Sequence, residues 1–140
     1  MTNLSNIQCI YFLGIGGIGM SALARYFNLH GKVVTGYDKT RTALTDELEK
    51  EGIKITFEDS LETLDKNAEL IIYTPAIPKD HQQYNWYLDN NYRLLKRSQI
   101  LGLAANSMFN ISIAGSHGKT STSSITAHIL KESNKSVAAF

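Results

Sequence analysis

CIYFLGIGGIGMSALARYFNLH, residues 9–30, decides the fold. Cys9 to Leu13 is apolar and aromatic, which predicts a strand, and it runs directly into Gly14-Ile15-Gly16-Gly17-Ile18-Gly19. From about Ile18 to His30, Ala22, Leu23, Tyr26 and Phe27 recur at helical spacing, so the glycines fall at a strand-to-helix turn. A GxGxxG in that context has a division of labour. Gly14 makes the turn, Gly16 lets the backbone approach a pyrophosphate, and Gly19 lets the helix lie close on the sheet. Gly31 then ends the helix as a glycine C-cap.

Outward from this unit the same alternation continues. Lys32 to Tyr37 predicts the second strand, and Asp38 stands at its end, about 20 residues past the last glycine, where a carboxylate takes a ribose hydroxyl. The competing reading of Asp38 is a cap for the next helix, a task that Thr40 or Thr42 also suits. Thr42 to Glu51 predicts an amphipathic helix on Leu44 and Leu48, closed by Gly52, and Ile53 to Phe57 a short third strand. A weak helical turn over Ser60 to Asn67 is expected to turn Leu61 and Leu64 inward. Glu69 to Thr74 is a continuous apolar run, as in a parallel strand covered on both faces. Thr74-Pro75-Ala76-Ile77-Pro78 breaks it, either as part of a ligand crevice or only as a rigid turn. Asp80 to Asn91 predicts a helix with Tyr84, Tyr87 and Leu88 inward, and Trp86 and Tyr87 read as core rather than as ligand stackers. Tyr92 to Lys96 predicts a fifth strand. Arg97-Ser98-Gln99 follows, placed to reach an anion or simply to start, in solvent, the helix through Ile100, Leu101, Leu103 and Ala104.

Strands alternating with helices over short connections predict an α/β, Rossmann-like, doubly wound parallel sheet of five strands ordered 3-2-1-4-5. In that order the loop after the fourth strand faces the glycine loop across the crevice. This unit is assigned to residues 1–106, with Asn106 to Asn110 as connector.

A second, different loop lies near the end of the chain. Ile111 to Leu130, ISIAGSHGKTSTSSITAHIL, reads as a short strand (Ile111 to Ala114), a phosphate loop and a helix carrying Ile125, Ile129 and Leu130. A helix N-terminus presents unpaired N–H groups, a lysine adds a mobile charge, and the adjacent hydroxyl suits Mg²⁺. The general pattern GxxxxGK[ST] is not fully met, because Ile113 stands where its first glycine belongs. Ser136 to Phe140 begins another apolar strand. Residues 107–140 therefore read as the truncated start of a P-loop domain.

Composition narrows the partners. Fourteen basic and 13 acidic side chains nearly cancel, and no basic stripe with interleaved aromatics occurs, which argues against nucleic acid or an anionic membrane. No apolar run approaches the roughly 18 residues of a membrane span, and no signal-peptide pattern opens the chain. Cys9, the single cysteine, is expected to be buried and allows no intrachain disulfide. The reading is a soluble, cytoplasmic protein with a small-molecule ligand.

Gly115-Ser116-His117-Gly118-Lys119-Thr120 resembles, position by position, the shortened phosphate loop of the Mur ligases, the ATP-dependent amide-forming enzymes of peptidoglycan synthesis. The resemblance is supported over nearly the whole chain by GIGGIGMS at Gly14 to Ser21, GxD at Gly36 to Asp38, Ala76-Ile77, and RxQxL at Arg97 to Leu101. It corresponds to the N-terminal domain and the start of the central ATPase domain. Ser116 replaces the more usual threonine and keeps the hydroxyl. His117 leans toward the member acting on UDP-N-acetylmuramate and L-alanine, although a ligase recycling murein tripeptide shares much of the pattern.

The resemblance implies that the first loop holds the pyrophosphate of UDP-N-acetylmuramate through N–H groups of Ile15, Gly16, Gly17, Ile18 and Gly19. Gly14, Asp38, Thr74, Ala76, Ile77 and Arg97 complete that site. It implies ATP at Gly115, Ser116, His117, Gly118, Lys119, Thr120 and Ser121, with Lys119 catalytic and Thr120 on Mg²⁺. The L-alanine site lies outside this chain, which is expected to bind but not turn over. The apolar face of the last helix is expected to pack on a second copy. The main rival, an NAD-binding dehydrogenase or sensor module, explains Gly14 to Asp38 and leaves the second loop idle; a non-catalytic scaffold leaves both idle.

Overall fold

The computed structural model describes residues 4–106 and 109–139. It divides into two compact units, Met1–Ala104 and Ala105–Phe140.

In the first unit, five strands form one all-parallel sheet in the order β3-β2-β1-β4-β5: β1 Cys9–Leu13, β2 Val33–Tyr37, β3 Lys54–Thr56, β4 Leu70–Tyr73 and β5 Leu94–Lys96. The helices are α1 Ile18–Leu29, α2 Ala43–Lys50, α3 Gln82–Asp89 and α4 Arg97–Asn106. The expected sheet and its order are thus present, with β3 and β5 shorter at their ends than predicted.

Alternation along central β1 divides the core in two. Ile10 and Phe12 join Leu23, Phe27, Leu48 and Ile100 on the side of α1, α2 and α4. Tyr11 and Leu13 join Ile71 and Tyr87 on the side of α3, where the Tyr11 and Tyr87 rings lie 5.5 Å apart. Both faces are covered, which is why β1 and β4 read as unbroken apolar runs. Cys9, at the strand's start, is only partly buried.

Two inward assignments are corrected. In α3, Leu88 is 53% exposed, and Gln83 is buried beside Tyr87 instead. Gln83 enters the core because its amide is fully used: Oε1 accepts from Tyr11 Oη at 2.8 Å, while Nε2 donates to Glu58 O, Ser60 O and Thr63 Oγ1. Apolar periodicity has no means of ranking such a glutamine above a leucine. Likewise Leu61 lies exposed in the 3-10 turn Leu61–Thr63, and only Leu64 packs on the core.

Helix α2 has a reciprocal cap, with Thr42 Oγ1 accepting from Thr45 N and Thr42 N donating to Thr45 Oγ1. Thr42→Ala is expected to cost about 1 kcal/mol, seen as a lower urea midpoint at unchanged slope. An unmoved midpoint would show that the box contributes nothing.

In the second unit, α5 spans Lys119–Glu132. Residues 111–114 are not a strand, contrary to expectation, since no described segment pairs with them. Strand-like sequence becomes a ladder only where a neighbour exchanges N–H···O=C bonds. The same holds for 136–139; Phe140 lies outside the described residues, as do positions 107 and 108 of the connector. Helix α5 buries no residue, and Ile125 and Ile129 are 61% and 58% exposed.

Candidate functional site

The parallel order reverses direction between β1 and β4, and a crevice outside the carboxyl ends of the strands is the geometric consequence. A cleft of about 680 Å³ occupies it, and Gly14, Gly16, Gly17, Asp38, Thr74, Ala76 and Ile77 of the expected set all line it. Pro78, from the expected crevice segment, lines it too, and so do Met20, Tyr37, Lys39, Asp59, Asp80 and His81, which were not foreseen.

The glycine loop spends its own N–H groups internally. Gly14 N and Ile15 N both donate to Tyr37 O, at 2.8 and 2.9 Å, and Gly16 N donates to Asp38 Oδ2 at 2.7 Å. Ile15 is a core residue, fully buried. What remains for an anion is the first turn of α1, where the N–H groups of Ile18, Gly19 and Met20 have no carbonyl four residues back within the helix. Gly17, its N-cap, offers no side-chain bond, and Ile18 is 87% exposed.

Asp38 does not cap α2, which Thr42 does. Its Oδ1 accepts from Thr40 N and its Oδ2 holds Gly16, so the carboxylate is fixed beside the loop. The Thr74–Pro78 segment is both a turn and a wall of the cleft: Ile77 N donates to Thr74 O at 3.1 Å.

Arg97 is half-buried, and its Nη1 lies 2.7 Å from where a Cβ on Gly19 would stand. No carboxylate of the described residues pairs with it. A guanidinium against a positive helix end repels it, and an anion bridging the two removes that repulsion.

At the far end of the cleft, Asp59 caps α3, accepting from Gln82 N and Gln83 N at 2.9 and 3.0 Å. His81, the N-cap, is 4% exposed and accepts from Tyr84 N through Nδ1. Its ring packs edge-on against Tyr37, centroids 4.6 Å apart. Burial pushes its pKa below the usual histidine value, against the pull of Asp59 and Asp80. Nε2 is buried with no hydrogen-bond partner, which costs about 1–3 kcal/mol. The sequence placed His81 inside the expected helix Asp80 to Asn91, whereas α3 begins at Gln82 with His81 as its N-cap. Asp59 had no sequence signal, because its partners come from another segment.

In the second unit, Gly118 takes the left-handed conformation (φ 74°) as N-cap of α5, without a side-chain cap. Lys119 Nζ donates back to Gly115 O at 2.6 Å, and residues 115–121 are all exposed. The loop and helix thus form without the preceding ladder. Among the described residues no group of three or more His, Cys, Asp or Glu side chains is placed to hold a metal, and no helix is long and apolar enough to cross a membrane.

An open, all-parallel five-stranded sheet with a glycine turn and a fixed carboxylate at its switch point defines a Rossmann-like α/β protein. The model of the Mur ligase family, catalytic domain, matches residues 9–108. The chain belongs to the Mur ligase family. It is 51% identical to UDP-N-acetylmuramate–L-alanine ligase of Flavobacterium psychrophilum over 99% of its own length and 32% of the relative's. Among solved structures it is similar to UDP-N-acetylmuramate-alanine ligase MurC of Thermotoga maritima, with a TM-score of 0.83 at 32% identity, covering 94% of this chain and 30% of that one. A murein peptide ligase of Psychrobacter arcticus gives 0.83 at 29% identity, covering 91% and 27%. The chain spans about a third of the length of the curated relatives it matches.

Proposed function

We propose that the chain is the sugar-nucleotide-binding part, with the beginning of the ATP-binding part, of a ligase that joins L-alanine to UDP-N-acetylmuramate in peptidoglycan synthesis. The observation that carries this reading is the cleft at the switch point: one helix end, Arg97 and Asp38 gathered around a glycine turn, in a chain that also holds a separate G-S-H-G-K-T loop. A dehydrogenase or sensor uses the first and has no need of the second.

In the reaction so assigned, the lactyl carboxylate of the sugar attacks the γ-phosphorus of ATP, ADP leaves, and an acyl phosphate forms. The alanine amine then attacks the acyl carbon, and phosphate departs as the amide closes. Transfer of this kind depends on positioning and on neutralising charge on the equatorial oxygens. Lys119 supplies one positive charge, and to do so exchanges its bond to Gly115 O for one to a phosphate oxygen. The N–H groups at Lys119, Thr120 and Ser121 open α5 and suit the same phosphates. The exposed Thr120 hydroxyl would give Mg²⁺ one oxygen ligand, and the ion would supply charge neutralisation at the phosphates. Gly115, Ser116, His117 and Gly118 shape the loop. The ATP requirement places the work in the cytoplasm.

In the sugar-nucleotide site, the α1 first turn and Arg97 take the pyrophosphate, Asp38 the ribose, and Thr74, Ala76 and Ile77 the opposite wall. Calorimetric titration with UDP-N-acetylmuramate, UDP and NADH tests this. The two uridine compounds are expected to bind and NADH not to bind. Saturation by NADH alone, with no response to either uridine compound, would overturn the assignment.

A further inference from the structure

Thr45, in the first turn of α2, has no exposed surface, and its hydroxyl and its methyl do different things. The hydroxyl accepts from Thr42 N and donates to Thr42 O, both at 2.8 Å, so the side chain is held by backbone on the cap side. Threonine carries two heavy atoms on Cβ, and fixing one fixes the other. The methyl is turned to the glycine loop: Cγ2 lies 3.0 Å from where a Cβ on Gly16 would stand, a point that is also 2.8 Å from Asp38 Oδ2. Methyl and carboxylate therefore close over the same face of Gly16.

Both supports are themselves anchored. Asp38 is tied by its N–H to Thr56 O, by Oδ1 to Thr40 N and by Oδ2 to Gly16 N. Helix α2 is tied to α1 at its other end, where Arg25 bonds Glu47 and Glu51, and Asn28 Nδ2 donates to Glu51 O at 3.0 Å. Glycine loses more conformational freedom on ordering than any other residue, so a glycine turn that is ordered beforehand spares its ligand that cost. Resting on the sugar-nucleotide reading above, we propose that Thr45 is a positioning residue for the binding step, its methyl being the stop that holds Gly16 against Asp38 before the nucleotide arrives. Being fully buried, it acts through Gly16 and not on the ligand.

Thr45→Ser removes the methyl and keeps both hydroxyl bonds. Thr42→Ala does the reverse: it weakens the cap of α2, yet leaves Thr45 bonded to the backbone of residue 42 with its methyl in place. UDP-N-acetylmuramate is titrated into the intact chain and into each variant, and amide hydrogen exchange at Gly16 is followed without ligand. Thr45→Ser is expected to bind about fivefold more weakly, and its Gly16 N–H to exchange about tenfold faster or more. Thr42→Ala, despite its lower urea midpoint, is expected to stay within about twofold of the intact chain in both measurements. A Thr45 that served only stability would lower the urea midpoint and leave the Gly16 amide as it was. An unchanged Kd or an unchanged Gly16 exchange rate in Thr45→Ser, or an equal loss of affinity in Thr42→Ala, would overturn the inference and leave the sugar-nucleotide reading standing. Failure of UDP-N-acetylmuramate to bind the intact chain would overturn both.

Discussion

Gly16→Val is expected to raise the Kd for UDP-N-acetylmuramate by about 100-fold or more, equivalent to ~2.7 kcal/mol, without unfolding the chain. A Cβ at Gly16 stands 2.8 Å from Asp38 Oδ2 and 3.0 Å from Thr45 Cγ2, and the two valine methyls extend further. The side chain that yields is the Asp38 carboxylate, an end group near the surface of the cleft. Its displacement breaks the Gly16 N to Asp38 bond, moves the proposed ribose acceptor and puts apolar bulk into the cleft beside the proposed diphosphate position. Lys119→Ala, in the other loop, is expected to leave this affinity unchanged. Calorimetry on both variants decides the matter, and equal affinities in the wild type and the valine variant would show that the glycine turn does not serve the ligand.

Gly36→Ala is expected to cost about 3 kcal/mol of stability, the upper range of overpacking in a close-packed core. Gly36 is paired in register with Phe12 across the two central strands. An added Cβ meets Phe12 O at 2.8 Å and Ile15 Cδ1 at 2.8 Å. Unlike the Asp38 carboxylate, a carbonyl of β1 cannot step aside without breaking the ladder, and Ile15 is itself fully buried. Urea unfolding measures the loss. Gly102→Ala is the control, since nothing lies within 4 Å of a Cβ there and a mid-helix alanine is favoured over glycine. A shift at Gly36 no larger than at Gly102 would contradict the packing described.

How much of this was legible depends on whether a signal is local. The strand-turn-helix at Cys9 to Leu29 carries its whole pattern in consecutive residues, and two-sided burial writes β4 as an apolar run, so the sheet order followed from the sequence. Gln83 and Leu88 exchanged places because the decisive fact is a hydrogen-bond acceptor set drawn from Glu58, Ser60 and Thr63, which periodicity does not see. Asp59 and His81 were missed for the same reason: they meet across 22 residues of chain, and neither belongs to a repeating pattern. The glycine spacing located the turn beside the cleft, but it did not show that Gly14, Ile15 and Gly16 donate to the protein itself, which leaves the free donors in the first turn of α1. At Ile111 to Ala114 the pattern was strand-like, and the missing ingredient was a partner strand.

In the proposed function the early glycine turn, and not the late lysine loop, receives the sugar nucleotide. Amide ¹H–¹⁵N spectra of the labelled chain titrated with UDP-N-acetylmuramate test it residue by residue. Shifts are expected to concentrate at Gly16, Ile18, Gly19, Met20 and Asp38, with the signals of Gly115 to Ser121 unmoved. Shifts confined to Gly115 through Ser121, with the first turn of α1 silent, would contradict it.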